Sequence, residues 1–514
     1  MEEITEVEYP RAFSPVDVKV DASSNSATVT WKVLDNAKTY FVELSSGDSL
    51  EFTNIIQQGE TENLTYTFSG LQYDSLYNVR LRSAPATETQ TESTWIGLSF
   101  KTRPTQYFIT LDDKKVKADR VTLNWIPGIV ATHISIDKGV GKINLTTEQI
   151  EAGELTVSGL ESATAYKVTM YNGKRVCGEL AFTSHWRPSG ANVVQLPDGD
   201  GDALKAALED EENAGKIIYL PSGTYNVSSE IAMSSGMTIW GDQEAEPKVK
   251  IEYTSTSRLI KLVGTAIDTL KFIHLEIACT DGNATTQGTY FINQGSNEAM
   301  TVNALILEDC YVHEFGRSLI RYQGVSQIIN NLIVENCILE RIGVQPGQSY
   351  SILQTNVSAT PLPKFDNVVF NNTTVFNCAN STAQHVFRIE VAGVLGKMDI
   401  SNCTFYDVGG GDATFFMNFN NGTATGSIKN SIFSKTAAGT GVAGIRGFRG
   451  IELSNAVTSY KTSDWLEKFE GLPGLESYAG DSDALFTNPS AGNFKIKDGS
   501  APAGLKNSGD PRWK

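Results

Sequence analysis

Down the second half of the chain, apolar and polar residues recur in a fixed order. Leu305-Ile306-Leu307-Glu308-Asp309-Cys310-Tyr311-Val312 is followed by Leu332-Ile333-Val334-Glu335-Asn336-Cys337-Ile338-Leu339. The order returns over 368–375, 398–405 and 426–433. The polar position (Asp309, Asn336, Asn372, Asn402, Asn430) advances by 27, 36, 30 and 28 residues. Repeats of that length, built from short alternating strands, mark a stacked solenoid. The alternation breaks at the polar–small pair, which predicts a sharp turn between two sheets, and Asn tolerates the left-handed backbone such a turn requires. Leu307, Val334, Phe370, Ile400 and Ile428 are then expected to form one inward ladder, and the fold read from the pattern is a parallel β-helix.

A second column of strands runs through Leu259-Ile-Lys261, Tyr290-Phe-Ile292, Leu319-Ile-Arg321, Ile352-Leu-Gln354, Val386-Phe-Arg388, Phe415-Phe-Met417 and Gly444-Ile-Arg446. The middle residue is always large and apolar, so it should face inward and the next residue outward. The outward column is expected to be Lys261, Ile292, Arg321, Gln354, Arg388, Met417 and Arg446. With rungs about 4.8 Å apart, the arginines would lie about 10 Å apart along one face, a spacing suited to carboxylates on an extended sugar chain.

The first part of the chain has a different rhythm. Ala27-x-Val29-x-Trp31, Tyr40-x-Val42-x-Leu44 and Tyr77-x-Val79-x-Leu81 are short alternating strands, with Leu71 six residues before Tyr77 and a closing strand through Phe100. The unit over 10–104 resembles a fibronectin type III sandwich. Residues 105–186 repeat it in reduced form, with Trp125 in the place of Trp31 and Leu160 six before Tyr166. A tandem pair of this kind reads as a spacer behind an acidic tether over 1–9.

From 190 onward Asp202–Leu208 reads as a short amphipathic helix, followed by Leu220-Pro-Ser-Gly223-Thr-Tyr225 and Thr238-Ile-Trp-Gly241. This resembles the entry of a pectate-lyase-like right-handed β-helix, in which a helix caps the open solenoid end. The stretch from Asp483-Ala-Leu485-Phe486 to Gly499-Ser500-x-Pro502 resembles the closing segment of many polysaccharide-acting β-helices. The fold class is therefore all-β: two fibronectin-like sandwiches, then a right-handed parallel β-helix over 190–514. The whole order, with its terminal Gly509-Asp-Pro-Arg-Trp513, resembles surface lipoproteins of Bacteroidetes polysaccharide-utilisation systems. That resemblance implies a setting on the outer face of the outer membrane or in secretion. It also implies a membrane link only through an N-terminal lipid anchor, with glycan-import machinery as a candidate partner and an acidic, pectin-like polysaccharide as ligand.

Composition narrows the chemistry. A net charge of −17 makes nucleic acid an unsuitable partner, since phosphate binding needs a basic face. Met1-Glu2-Glu3 reads as a start just after a removed targeting segment. Cys310, Cys337 and Cys403 share one column of the repeat and are expected to be reduced, buried packing residues. The strip supplies Arg321 and Arg388 as catalytic candidates, with Lys261, Gln354, His385 and Arg446 as substrate-binding candidates. An eliminative lyase needs a base, a cation for the enolate-like transition state and a proton donor. In lyases of this fold the base is often Arg or Lys and the cation often Ca²⁺, so Ca²⁺ is the candidate cofactor, none being assured. Asp198-Gly-Asp200-Gly-Asp202 has the look of a calcium loop without its distal Glu. Hydrolysis would need paired carboxylates, and the stretch at Gly409-Gly-Gly-Asp412 offers one. A non-catalytic glycan-binding protein and a structural adhesin stand beside the lyase, and the bland alternative for the strip is a solvated face paired to acids such as Glu335 or Glu390.

Overall fold

The computed structural model describes residues 11–34, 37–47, 50–85, 87–280, 288–295, 299–323, 326–355, 364–380, 384–389, 394–410, 414–419, 424–437 and 444–514. The chain divides into two compact units, 1–187 and 188–514.

In the first unit, strands Val16–Ala22, Ser26–Lys32 and Thr65–Ser69 form one antiparallel sheet. Strands Ile55–Thr61, Tyr40–Ser46, Leu76–Ser83 and Ile96–Lys101 form the facing one. Trp31, Val42, Phe68 and Val79 lie between them, all buried. The Tyr77 hydroxyl accepts from the Gln72 backbone N–H at 2.9 Å, the corner typical of fibronectin-type sandwiches. The second sandwich repeats this, with Trp125 buried and Tyr166 accepting from the Glu161 N–H at 2.7 Å. The two are tied by Asp74, which accepts from the Val176 N–H at 2.7 Å, and by Asn172, which donates to the Tyr73 hydroxyl at 3.1 Å.

The second unit is a parallel β-helix. Its described strands make three long parallel sheets of ten, ten and eight strands, visited in rotation. Sheet one runs from Val193–Gln195 to Ile451–Leu453, sheet two from Thr224–Val227 to Glu476–Ser477, and sheet three from Ile231–Met233 to Arg446–Arg449. The expected ladder is present: Leu307, Val334, Phe370, Ile400 and Ile428 are in register on sheet one and fully buried.

The turn from sheet one to sheet two has a chemical explanation for its small residue. Asp309, Asn336, Asn372, Asn402 and Asn430 all adopt left-handed backbone, with φ of 50, 54, 49, 52 and 47°. The N–H of Asp309 points forward to Glu335 O at 3.0 Å, whereas that of Tyr311 points back to Leu275 O at 2.9 Å. Between them the Cys310 N–H also points forward, and its acceptor is the Cys337 sulfur at 3.4 Å. Two successive N–H groups facing one neighbour is what an unbroken strand forbids, so the second needs a side-chain acceptor. The next rungs repeat the bond: Cys337 N–H to Thr373 Oγ1 at 3.2 Å, Cys403 N–H to Ser431 Oγ at 3.1 Å, and Ser431 N–H to Ser459 Oγ at 3.1 Å. Each thiol or hydroxyl is thus a small acceptor that also donates to a nearby carbonyl, such as Cys337 Sγ to Glu335 O at 3.2 Å. All six cysteines are free and buried, among them Cys310, Cys337 and Cys403, the three read from the repeat. Burial pushes the Cys337 thiol well above its ordinary value and that of Cys279 up to about 12.

The helix Gly201–Glu209 closes the N-terminal end, burying Leu204, Ala207 and Leu208. Trp465 fills the other end, against Phe416 and Phe433. The segment after 480 does something else than the resemblance implies. Leu485, Phe486, Phe494 and Leu505 pack on the outer face of sheet two, against Phe376, Tyr406, Ile432 and Tyr460. It covers a flank rather than closing an end. Its terminal residues clip across rungs: Asp510 accepts from Thr374 Oγ1 at 2.7 Å, and Trp513 Nε1 donates to the same hydroxyl at 2.8 Å.

Replacing Cys337 by Ala should leave the buried Cys310 N–H without an acceptor and cost about 1–3 kcal/mol. Cys337→Ser, which restores the acceptor found at Ser431, should cost clearly less. Urea midpoints of the two variants decide the matter, and equal midpoints would remove the hydrogen-bond account.

Candidate functional site

Sheet three positions the predicted strip, and its register differs from the expected one at three rungs. The column in register is Lys261, Asn293, Arg321, Gln354, Arg388, Asn418 and Arg449; its apolar neighbour column is Ile260, Ile292, Ile320, Leu353, Phe387, Met417 and Phe448. Ile292 and Met417 are therefore core residues, both fully buried. Arg446 is not in line with Arg388; it pairs with Phe415, and Arg449 holds the in-line place. The reason is local. Most rungs enter sheet three with two consecutive buried apolar residues, such as Leu319 and Ile320 or Val386 and Phe387. Where three apolar residues stand in a row, as in Tyr290-Phe-Ile and Phe415-Phe-Met, hydropathy cannot say which pair points in.

Arg321, Arg388 and Lys261 are half-buried and Arg449 is exposed. Arg321 donates to the Tyr290 hydroxyl, and the Gln323 carboxamide, oriented by its hydrogen bonding, accepts from Arg321 Nε at 3.2 Å. Tyr290 is the centre of a cation–aromatic cluster. Its ring lies 5.3 Å from the Arg321 guanidinium and 5.1 Å from that of Arg317, and it meets Tyr350 edge-on at 5.7 Å. Arg317 also lies over Tyr350 at 5.5 Å and donates to Gln345 at 3.2 Å. Burial pushes the Tyr290 phenol up to about 12, against the pull of the two guanidiniums. At neutral pH it is a phenol, hence a hydrogen-bond donor and acceptor and not a base. None of Tyr290, Arg317 or Tyr350 was marked in the sequence; the alternation of Tyr and Arg at successive rung entries is the signal that could have found them.

Gln354, expected to meet substrate, is buried, and its amide oxygen accepts from Ser318 Oγ at 3.0 Å and from the Ser351 N–H at 3.3 Å. It organises the floor of the strip instead. His385 does join the strip. Its ring stacks on Phe415 at 5.9 Å, its Nδ1 accepts from the Phe415 N–H at 2.9 Å, and Nε2 lies 3.1 Å from the Asn418 carboxamide, which accepts from Arg449 Nε at 2.8 Å. The guanidiniums of Arg446 and Arg449 both lie over Phe415, at 5.4 and 5.3 Å. Two cation–aromatic clusters thus flank Arg388, one around Tyr290 and one around Phe415.

Glu335, on sheet one, accepts from Asn371 at 3.0 Å and Asn372 at 2.7 Å; Glu390 and Asp412 fall outside the described residues. Asp200 is a helix cap, accepting from the Ala203 N–H at 2.9 Å. Among the described residues no group of three His, Cys, Asp or Glu side chains converges as a metal site would. The other acids of note make a closed network on sheet two, which the sequence reading passed over. His313 Nε2 lies 3.0 Å from Glu276, its ring stacks on Tyr311 at 4.2 Å, and Tyr311 donates to Glu340. His274 takes the asparagine place of the turn, with φ of 57°, and its Nδ1 lies 2.6 Å from Asp309. These groups are spent on one another.

Two family profiles match the β-helix. One, described as rhamnogalacturonase A/epimerase, pectate lyase-like, matches residues 197–262; the other, a domain of unknown function designated DUF5123, matches 398–513. The human fibronectin type III domain-containing protein 7 is 24% identical over 229 residues, 43% of this chain but only 29% of that protein. Among solved structures, a two-domain fibronectin type III segment from chicken tenascin is 12% identical, covering 34% of this chain and 99% of that one with a TM-score of 0.23. A structure titled as a myokine is 23% identical over 18% of this chain and 99% of its own, with a TM-score of 0.15. The chain thus combines a fibronectin type III pair with a pectate-lyase-like β-helix, a composition that suits a carbohydrate-related or adhesin-like protein.

The Glu276 carboxyl is held below its ordinary 4.5, chiefly by the His313 hydrogen bond and further by Lys250, with burial opposing. A lowered folded-state pKa contributes stability that is present above the unfolded value and is lost as pH falls through the folded one. Wild-type stability should therefore fall as pH drops below 4.5, and Glu276→Gln should flatten that segment of a thermal-midpoint profile while lowering stability at neutral pH.

Proposed function

We propose that sheet three binds an acidic, pectin-like polysaccharide laid along the helix axis, presented by the fibronectin-like pair as a spacer. The observation that carries this is the register: Arg321, Arg388 and Arg449 occupy every second rung, about 10 Å apart. Uronates on alternate residues of an extended chain have a matching repeat, and the guanidinium fork takes a carboxylate through two hydrogen bonds. The rings of Tyr350 and Phe415 beside the arginines offer the apolar surface on which pyranoses pack. Binding without cleavage is favoured by the character of the groups. Arginine keeps its proton, and the buried Tyr290 phenol keeps its own, so the named residues hold carboxylates better than they abstract a proton. A cell-surface site, as a lipid-anchored or secreted protein working beside glycan-import machinery, is the setting such a ligand suggests. Among the described residues no helix is long and apolar enough to cross a membrane.

The test is binding of pectic and other uronic oligosaccharides to the full chain, with product formation followed in parallel. Arg321→Ala and Arg388→Ala should each weaken binding by about 1.5–3 kcal/mol, the range for hydrogen bonds to charged groups, and added salt should weaken wild-type binding. Unchanged affinity in both variants would return the strip to a solvated face. Unsaturated product formed by the wild type would make the strip a lyase site instead.

A further inference from the structure

Beyond the arginine column, a second stack runs along the same sheet. His385 lies flat on Phe415, Arg446 lies 5.4 Å from Phe415 on the next rung, and the same guanidinium lies 4.6 Å from the ring of Phe469. The order His385, Phe415, Arg446, Phe469 thus climbs the C-terminal rungs and ends in Phe469, which is 75% exposed, more than any other large apolar residue among those described. Lys468 Nζ is 5.8 Å from the same ring.

The exposure of Phe469 is imposed by its surroundings. Its backbone is left-handed, with φ of 58°, a conformation rare for a bulky residue. Both sides of it are pinned. The Lys468 N–H bonds to Ile445 O at 3.0 Å, and Glu470 O accepts from the Gly447 N–H at 2.7 Å. The Glu467 carboxylate accepts from Lys461, from Trp465 Nε1 at 3.3 Å and from the Leu472 N–H at 2.9 Å. A rigid loop therefore holds an aromatic ring out in water, against backbone preference and against the hydrophobic effect, with two cations beside it. Strain of this kind clusters where a ligand is met.

We infer that Phe469, with Arg446 and Lys468, is a terminal subsite for a uronic acid residue, the pyranose stacking on the ring and the carboxylate meeting the cations. The inference rests on the reading of sheet three as an acidic-glycan surface and extends it by naming where the chain ends. The planar guanidinium of Arg446 lies within cation–π distance of both Phe415 and Phe469.

Phe469→Gly removes the ring and suits the positive φ, so the variant should melt no lower than wild type. Binding of an oligogalacturonate series to the full chain, by titration calorimetry, should show Phe469→Gly about three- to tenfold weaker for the longest members. The loss should shrink for short ones, which can sit on the arginines without reaching the end. Phe469→Tyr should restore wild-type affinity. Wild-type affinity in Phe469→Gly across the series would overturn the subsite while leaving the arginine strip standing. A wild-type protein that binds no member would overturn both.

Discussion

The β-helix depends on how one backbone N–H per rung is satisfied. At the corner between sheets one and two the chain must reverse the side from which it bonds, and a left-handed residue makes that reversal in a single step. The cost is a second N–H aimed at the same neighbouring rung, buried, where no carbonyl stands opposite. A short polarisable or hydroxylic side chain from that rung supplies the acceptor: Cys337 for Cys310, Thr373 for Cys337, Ser431 for Cys403. Only Cys, Ser and Thr are small enough to face inward there and still accept. Because each such side chain belongs to the next rung, the bond couples rungs pairwise and holds the phase of the stack. The inward ladder of sheet one follows from that phase, and so does the alignment of Arg321 with Arg388 one sheet away.

That coupling explains which parts of the fold can be read from residues alone. The corner writes itself into the chain as Asn followed by Cys, Thr or Ser, flanked by strict alternation, and the ladder Leu307, Val334, Phe370, Ile400, Ile428 was legible at once. The tyrosine corners of the sandwiches were legible for a similar reason, since Tyr77 and Tyr166 keep a fixed distance from the backbone N–H they accept. Sheet three carries no such marker. At most rungs it is entered through two consecutive buried residues, so the apolar runs at Tyr290–Ile292 and Phe415–Met417 fit two registers equally well. Hydropathy alone selects the wrong one there, and Arg446 takes the place that belongs to Arg449. The burial of Gln354 was illegible too, because its partner Ser318 lies a rung away in a stretch of irregular chain.

The chain carries −17 overall, yet the in-register column on sheet three alternates Lys261, Arg321, Arg388 and Arg449 with the amides Asn293, Gln354 and Asn418. Acids on the other two faces have cations or histidines to hold them: Glu276 with His313 and Lys250, Glu308 with Lys271, Asp399 with Lys397. A strip of guanidiniums in an acidic body attracts a polyanion locally while the remainder repels it, which favours a ligand laid along one line over one wrapped around the stack. The flank of sheet two that would otherwise expose Phe376, Tyr406 and Ile432 is closed by the C-terminal segment.

Arginines whose guanidinium faces lie over aromatic rings have a particular character as ligand groups. Over Tyr290, Phe415 or Phe469 the guanidinium face is occupied by π electrons while its N–H edge remains a donor, so a carboxylate can be added at the edge without removing the ring. The ring also fixes the plane of the fork, which lowers the ordering cost of a two-point contact. Neutral anchors such as the Tyr290 hydroxyl and the Asn418 amide position Arg321 and Arg449 to the same end. For the proposed ligand, the spacing of such donors is set by the rung distance that the corner hydrogen bonds maintain.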